Sequence, residues 1–283
     1  MGGLGWLCLG LLGAAARPPA DELRCTFLAV GHGGCTVLEM PDGRTLLYDA
    51  GARRDPYDVT RRVIAPFLLS RGIRRIDEVL LSHGDLDHFN DLVYLLGYFA
   101  IGQVTYTPTF PDKNTRGVQH TLKVLDRHRI PVRVVKAGDR LTAGEVTLDV
   151  LHPPAAGPLG EENVRSLVLE VRHAGHTLLL TGDLEGPGLE RVLRMPRRRV
   201  DVLQAPHHGS RRANTPDLAA WAQPRVAVSC QGPPRGPAGV TEPYSAQGAH
   251  FLGTWPHGAV TVRSHASGLV IETYVTGQRI VVR

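Results

Sequence analysis

Four potential metal ligands fall within six residues in the run Ser82-His83-Gly84-Asp85-Leu86-Asp87-His88. Imidazole nitrogens and carboxylate oxygens are donors that zinc accepts, and a carboxylate-rich set also suits manganese. The apolar residues just before the run read as a buried strand over 78–82, so His83 and Asp85 can leave it on one side. Asp87 and His88 then stand at the start of the next helix, which Asp87 could also cap. Gly84 permits a tight turn where backbone must pass close to an ion. A lone histidine here would be an ordinary loop residue. Two histidines and two aspartates at this spacing point to metal. Two further strand ends carry the same chemistry: Leu178-Leu179-Leu180 runs into Thr181-Gly182-Asp183, and Leu203-Gln204-Ala205-Pro206 runs into His207-His208-Gly209-Ser210. Three such ends could converge on one edge of a sandwich and activate water for hydrolysis.

The elements that must hold these ends are mostly strands. Short β-rich runs at 23–30, 36–39 and 45–48 are separated by turns at 31–34 and 41–43. Asp58 reads as the N-cap of a helix through Val59, Val63 and Phe67, with Pro66 as a kink. A helix over 89–96 follows the metal run, then a strand at 103–107, a helix at 115–129 and a strand at 132–135. Strands at 145–151, 166–171 and 177–180 precede a helix at 187–193. A strand at 201–204, a helix at 216–222 and a strand at 226–229 come next. The chain closes with strands at 259–263, 268–274 and 279–282. Hairpin spacings outnumber strict strand–helix alternation, so two helix-covered sheets fit better than a doubly wound parallel sheet. No repeat of about 20–50 residues is present. The Pro- and Gly-rich stretches at 153–160 and 232–239 read as surface loops.

Composition narrows the function classes. Hydrophobic residues make up 42% of 283, enough for a sizeable core and against a disordered chain. Only 6% is aromatic, which leaves few stacking platforms for nucleobases. The net charge of +5 permits an anionic partner such as nucleic acid but does not identify one. Arg191, Arg194, Arg197, Arg198 and Arg199 read as a solvated helix end and turn before they read as a phosphate patch. Cys8, Cys25, Cys35 and Cys230 have no CxxC spacing and read as small buried hydrophobes. At the N-terminus, residues 2–16 are apolar and uncharged. They are short of the roughly 20 residues of a spanning helix. They read as the remnant of a membrane segment or as an export signal, though without a positive n-region. Residues 17–22 read as a linker and 23–283 as one domain.

Together the three strand-end motifs resemble the metallo-β-lactamase superfamily, whose signature is HxHxDH after a strand, then a strand-end Asp, then a later His. Here the signature reads His83-x-Asp85-x-Asp87-His88. The resemblance is closest to the metallo-β-lactamase-like domain of ComEC-type competence proteins, membrane proteins of DNA uptake. It is carried by FLAVGHGGCTVLE, TLLYDAG, SHGDLDH, LHPP, NVRSLVLEV, LLLTGD, APHHGS and GTWPHGAVTV, from about Leu23 to Arg263. It implies an α/β fold, an αββα sandwich with two divalent ions, Zn or Mn, between the sheet edges. His83 and Asp85 would serve one ion, Asp87 and His88 the other, and Asp183 would bridge. His207 or His208 would be a ligand or a proton donor. Asp49 would support the site from behind. Three places depart from the family pattern. Asn163 stands where an isolated histidine is common, Gly31-His32-Gly33-Gly34 lacks the acid of the family's turn, and no histidine is evident after the 226–229 strand. His32 is a second candidate proton donor, and His152 a candidate substitute ligand.

The resemblance implies a two-metal phosphodiesterase or nuclease acting on DNA during uptake, placed at the membrane through residues 2–16 or exported, with the cytoplasm left open. Two alternatives stand beside it: a hydrolase of another ester, and a non-catalytic DNA-binding module of an uptake protein.

Overall fold

The computed structural model describes residues 18–233 and 241–282. The apolar segment 2–16 and Cys8 therefore lie outside the described residues. Among the described residues, strands form two large sheets and one two-stranded ribbon. The first sheet contains β1 (Leu23–Phe27), β2 (Thr36–Glu39), β3 (Thr45–Tyr48), β5 (Glu78–Leu80), β7 (Val104–Tyr106) and β8 (Val132–Val134). The C-terminal strands β16 (Val260–His265), β17 (Gly268–Thr273) and β18 (Arg279–Val282) extend it beyond β1. The second sheet runs from β9 (Arg140–Ala143) through β10 (Val146–His152), β11 (Val168–His173), β12 (His176–Leu180), β13 (Val202–Gln204) and β14 (Val226–Ser229) to β15 (His250–Gly253). The ribbon pairs β4 (Arg75–Ile76) with β6 (Ala100–Ile101). Each large sheet is antiparallel on one side and parallel on the other, the switch falling at β3–β5 and at β12–β13.

Period-two alternation decides what each face buries. Leu23, Cys25, Phe27, Leu46, Tyr48 and Leu80 point from the first sheet toward Leu148, Val150, Leu169, Leu178, Leu180 and Val202 of the second. The alternate residues Val37, Leu47 and Val79 meet the helical layer of Leu68, Phe89, Leu92, Leu95, Val118 and Leu125. Leu179, Leu203 and Ala227 meet a second layer of Leu189, Val192, Leu218, Trp221 and Tyr244. Each fully buried Leu, Val or Phe contributes roughly 1.5–3 kcal/mol by leaving water. The result is the expected αββα sandwich. The Tyr48 hydroxyl ties the sheets together, donating to the Leu167 carbonyl at 2.5 Å. Cys25, Cys35 and Cys230 are buried and free, as small hydrophobes in this core.

The helices follow local chemistry, with one correction. Asp58 does not cap the first helix. Asp55 does, accepting from the Tyr57 amide, and Asp58 instead pairs with Arg61 and Arg62. Helix α1 (Pro56–Val59) passes through a π-turn (Thr60–Ile64) into α2 (Ala65–Ser70). Pro66 lies in the first turn of α2, where its missing N–H costs least. The next helix starts earlier than its apolar pattern suggests, as α3 (Leu86–Phe89) and α4 (Leu92–Leu95). The helix expected over 115–129 is α5 (Arg116–Arg127), capped by the Thr115 side chain, which accepts from the Val118 amide. Helices α6 (Gly186–Leu193) and α7 (Pro216–Ala222) cover the second sheet. No helix among the described residues is long and apolar enough to cross a membrane.

Candidate metal centre

Loops from both sheets meet at one end of the sandwich. From the first sheet come 31–34, the end of β3 at Asp49, and the segment 82–88 after β5. Three glycines let these strands of backbone touch. A Cβ at Gly33 would lie 2.4 Å from the Gly51 carbonyl oxygen, and one at Gly51 would lie 2.5 Å from the Asp87 carbonyl carbon. The Gly34 amide donates to the carbonyls of Gly51 and Asp87, both at 3.1 Å. From the second sheet come Thr181-Gly182-Asp183 after β12 and the turn Pro206–Gly209 after β13, in which His207 and His208 both adopt positive φ. The His207 amide donates to the Gly182 carbonyl, which joins these two loops.

Asp49 organises the first-sheet half. It accepts from the Ser82 amide at 2.7 Å, from the Ser82 hydroxyl at 2.8 Å and from His88 Nδ1 at 2.7 Å. Having donated to Asp49, the Ser82 hydroxyl accepts from His83 Nδ1 at 2.9 Å. His208 Nδ1 donates to the Cys230 carbonyl at 2.8 Å. In all three rings Nδ1 is thus a donor, so the neutral ring presents its lone pair at Nε2. Each Nε2 is buried without a hydrogen-bond partner. The Nε2 atoms of His88 and His208 face one carboxylate oxygen of Asp183, at 3.2 and 3.3 Å. Asp87 approaches His208 Nε2 at 3.7 Å and His32 Nε2 at 3.8 Å. Two sets of donor atoms lie within 4.8 Å of one another: His83, His88 and Asp183, and His32, Asp87 and His208. Imidazoles oriented through Nδ1 by carboxylate, hydroxyl or carbonyl are the arrangement that presents Nε2 to a divalent ion. The residues present fit such an ion.

The electrostatics agree. Burial alone would raise the Asp183 carboxyl, but His208 and His88 outweigh it and hold it well below the usual carboxylate range. Burial opposes charge on His88, yet Asp183 and Asp49 raise its pKa well above the ordinary histidine value. His208 is raised to about 9 in spite of burial, by Asp183 first. Asp87 is brought down to about 2, against burial, by His208 and His88. His32 is pushed down to about 4, by burial first and then by His208 and Arg53. Without an ion, the acids hold protons on His88 and His208. An ion would release those protons.

The remaining expected residues sit elsewhere around the cluster. Asp85 lies 3.5 Å from His83 Nε2 but is bonded to the ammonium of Lys113. His207 turns Nδ1 to Glu185 at 2.8 Å and leaves Nε2 3.9 Å from Asp183. Asn163 donates to the other oxygen of Glu185 at 3.0 Å, and its own carbonyl oxygen is buried without a partner. His152 gives Nε2 to the Val164 carbonyl at 2.9 Å and joins neither donor set. Three residues were not evident from the motifs: Lys113, Glu185, and Arg53, whose Nε stands 3.4 Å from Asp87. Glu185 had a signal in Asp183-Leu184-Glu185, a second acid just past the strand end.

Comparison with known proteins agrees with this geometry. The family described as the metallo-beta-lactamase superfamily matches residues 29–232. ComE operon protein 3 of Bacillus subtilis is 30% identical over 210 residues, which cover 73% of this chain and 26% of that protein. Competence protein ComA of Neisseria gonorrhoeae is 29% identical over 233 residues, covering 80% and 30%. This chain therefore spans under a third of these relatives' lengths. Among solved structures, the metallo-beta-lactamase fold protein YhfI from Bacillus subtilis superposes with a TM-score of 0.52 at 16% identity, covering 82% of this chain and 95% of that one.

Proposed function

The chain belongs to the metallo-beta-lactamase superfamily, and from that premise we propose that it is a metal-dependent phosphodiesterase that cuts DNA, serving as the hydrolytic domain of a DNA-uptake protein. The observation that carries the metal-dependent part is the set of three buried Nε2 atoms without a hydrogen-bond partner, each ring fixed by a bond at Nδ1 and gathered around Asp183. The competence names of the relatives support DNA as the substrate. The net charge of +5 and the exposed guanidinium of Arg53 at the rim suit a polyanion.

In this reading His83, His88 and Asp183 hold one divalent ion, zinc or manganese, and Asp87, His208 and His32 hold the second. When bound, the ions would lower the pKa of water toward neutrality and offset charge on the phosphoryl oxygens. Asp49 keeps the His88 lone pair aimed, through the bond at Nδ1. Arg53 is placed to take a non-bridging oxygen of the scissile phosphate. In hydrolysis the water oxygen joins phosphorus, the bond to the leaving oxygen breaks, and that oxygen takes a proton. His207 supplies this proton: Glu185 holds its ring at Nδ1, and Nε2 opens toward the cluster. The apolar residues 2–16 and the greater length of the relatives support a place at the membrane, as one part of a larger uptake protein.

The test is cleavage of end-labelled single- and double-stranded DNA by the purified chain with added Mn²⁺ or Zn²⁺, beside an Asp85→Ala, Asp183→Ala double variant. Metal-dependent cleavage lost in the variant is the expected result. A folded protein that cleaves neither DNA with either ion would shift the assignment to another ester or to a non-catalytic DNA-binding module.

A further inference from the structure

Within the His83-x-Asp85-x-Asp87-His88 run, Asp85 is hydrogen-bonded directly to a cation from outside it that has no lone pair to share, whereas the guanidinium near Asp87, Arg53, stands 3.4 Å away and is largely exposed. Asp85 Oδ1 takes the Lys113 ammonium, while its Oδ2 lies 3.5 Å from the free Nε2 of His83. Lys113 is not a stray surface side chain. It comes from the segment between β7 and α5, whose successive turns bond the Phe110 amide to the Thr107 carbonyl, Asp112 to Thr109 and Thr115 to Lys113. Phe110 is fully buried and anchors that segment, stacked on Tyr106 at 5.1 Å and edge-on to Phe89 at 5.4 Å. The lysine stem runs over Gly84: a Cβ there would lie 2.8 Å from Lys113 Cδ. The glycine inside the run thus leaves room for this lysine.

Resting on the metal reading above, we propose that Lys113 is a resident competitor for a divalent ion at Asp85, and that it sets the affinity of the ion held with His83 below that of its neighbour. Two effects act in one direction. The ammonium occupies the carboxylate that would otherwise complete the ligands around His83, and its fixed charge opposes a dication a few ångströms away. Asn163 does not compensate, because its free amide oxygen is neutral. Among the described residues, the group His32, Asp87 and His208 is faced by Arg53, 3.4 Å from Asp87 and largely exposed, which yields to an ion more readily than the directly bonded Lys113. The two ions would therefore load in sequence, with the His83 ion second.

The experiment is calorimetric titration of the metal-stripped full chain with Mn²⁺, comparing wild type, Lys113→Met, Lys113→Arg, Asp85→Asn and the Lys113→Met, Asp85→Asn double variant. Wild type should show a tight and a weak ion. Lys113→Met should strengthen the weak ion about tenfold or more and leave the tight one unchanged, while Lys113→Arg should resemble wild type. Adding Asp85→Asn to Lys113→Met should remove the gain, whereas Asp85→Asn alone should change little. Equal titrations of wild type and Lys113→Met, or weaker binding in Lys113→Met, would overturn the proposal and leave the metal centre standing. A gain that survives Asp85→Asn would also overturn it, leaving charge repulsion without competition. No binding by any folded form would overturn both.

Discussion

The two ends of the first sheet both bury charge, and they balance it differently. At the end away from the loops, Glu22 and Glu39 face Arg24 and Arg71. Arg24 meets Glu22 at 2.7 Å, Arg71 meets Glu39 at 3.2 Å, and His265 adds a contact to Glu22 at 3.0 Å. Two acids are matched by two guanidiniums that are always charged. At the loop end, Asp49, Asp87 and Asp183 stand among neutral-capable imidazoles, with Arg53 the guanidinium beside them. Three carboxylates against one guanidinium leave a deficit of two positive charges among the described residues. The deficit can be met by protons on His88 and His208, or by a divalent ion. A buried cluster that supplies its own cations is structural, and one that lacks two is a receptor for them. Lys113 and Asp85 sit beside the receptor as a pair already balanced.

The strongest break of this contrast is Asp183→Asn. It removes the carboxylate that His88 and His208 share, so binding of the ion held with His83 and any metal-dependent hydrolysis should fall to background. Metal analysis of the purified variant beside its thermal unfolding checks this. Next is Arg24→Met at the opposite end. It takes the guanidinium from the buried Glu22, leaving that acid with His265 and Glu39 with Arg71, and should cost about 3 kcal/mol of stability. Metal affinity of the folded variant should be unchanged. Equal losses of metal from both variants would mean that the two ends are not separate devices. A smaller effect is expected from Asp49→Asn, which keeps the shape but weakens the hold on His88. Metal affinity should drop about 10–100-fold with the fold retained, read by titration.

The same contrast explains what was legible in the sequence. The balance of the receptor is written locally: His83, Asp85, Asp87 and His88 lie in one run, and Asp49, Asp183, His207 and His208 each follow an apolar strand. A strand end is a place that sequence alone can mark. The sandwich was legible too, because alternation at Leu23, Cys25 and Phe27 or Leu178 and Leu180 separates an inward from an outward face. The balancing partners were not. Lys113 reaches Asp85 across 28 positions, and Glu185 reaches His207 across 22. Only the folded loop path brings them together. Glu22 read as the end of a polar linker, because nothing in its neighbours announces His265 opposite. Asp58 read as the cap because it stands directly before Val59, and the bond from the Tyr57 amide that makes Asp55 the cap is formed only in the fold. The edge strands β9 and β15 are short and mixed in polarity, so pairing with β10 and β14 defines them more than their own residues do.

The finest test lies in the self-balanced end and concerns protons. Burial raises the Glu39 carboxyl from 4.5 to about 7, with Arg24 only partly offsetting it, and one of its oxygens has no hydrogen-bond partner. Between those two values the folded protein keeps a proton that the unfolded chain has lost. The stability from Glu39 is therefore complete below about pH 4.5 and is lost as pH rises through 7. Glu39→Gln cannot undergo that loss and keeps an oxygen for Arg71. Against wild type, its melting temperature should gain little at pH 5 and roughly 2–4 °C at pH 8, the shift that about 1 kcal/mol gives in a domain of this size. The gain should be the same with and without added Mn²⁺, because the residue sits at the other end of the sheet from the metal ligands. A gain that vanished when the ion was added would show that protons at one end and metal at the other are coupled through β2 and β3, and the separation of structural from receptive charge would have to be given up.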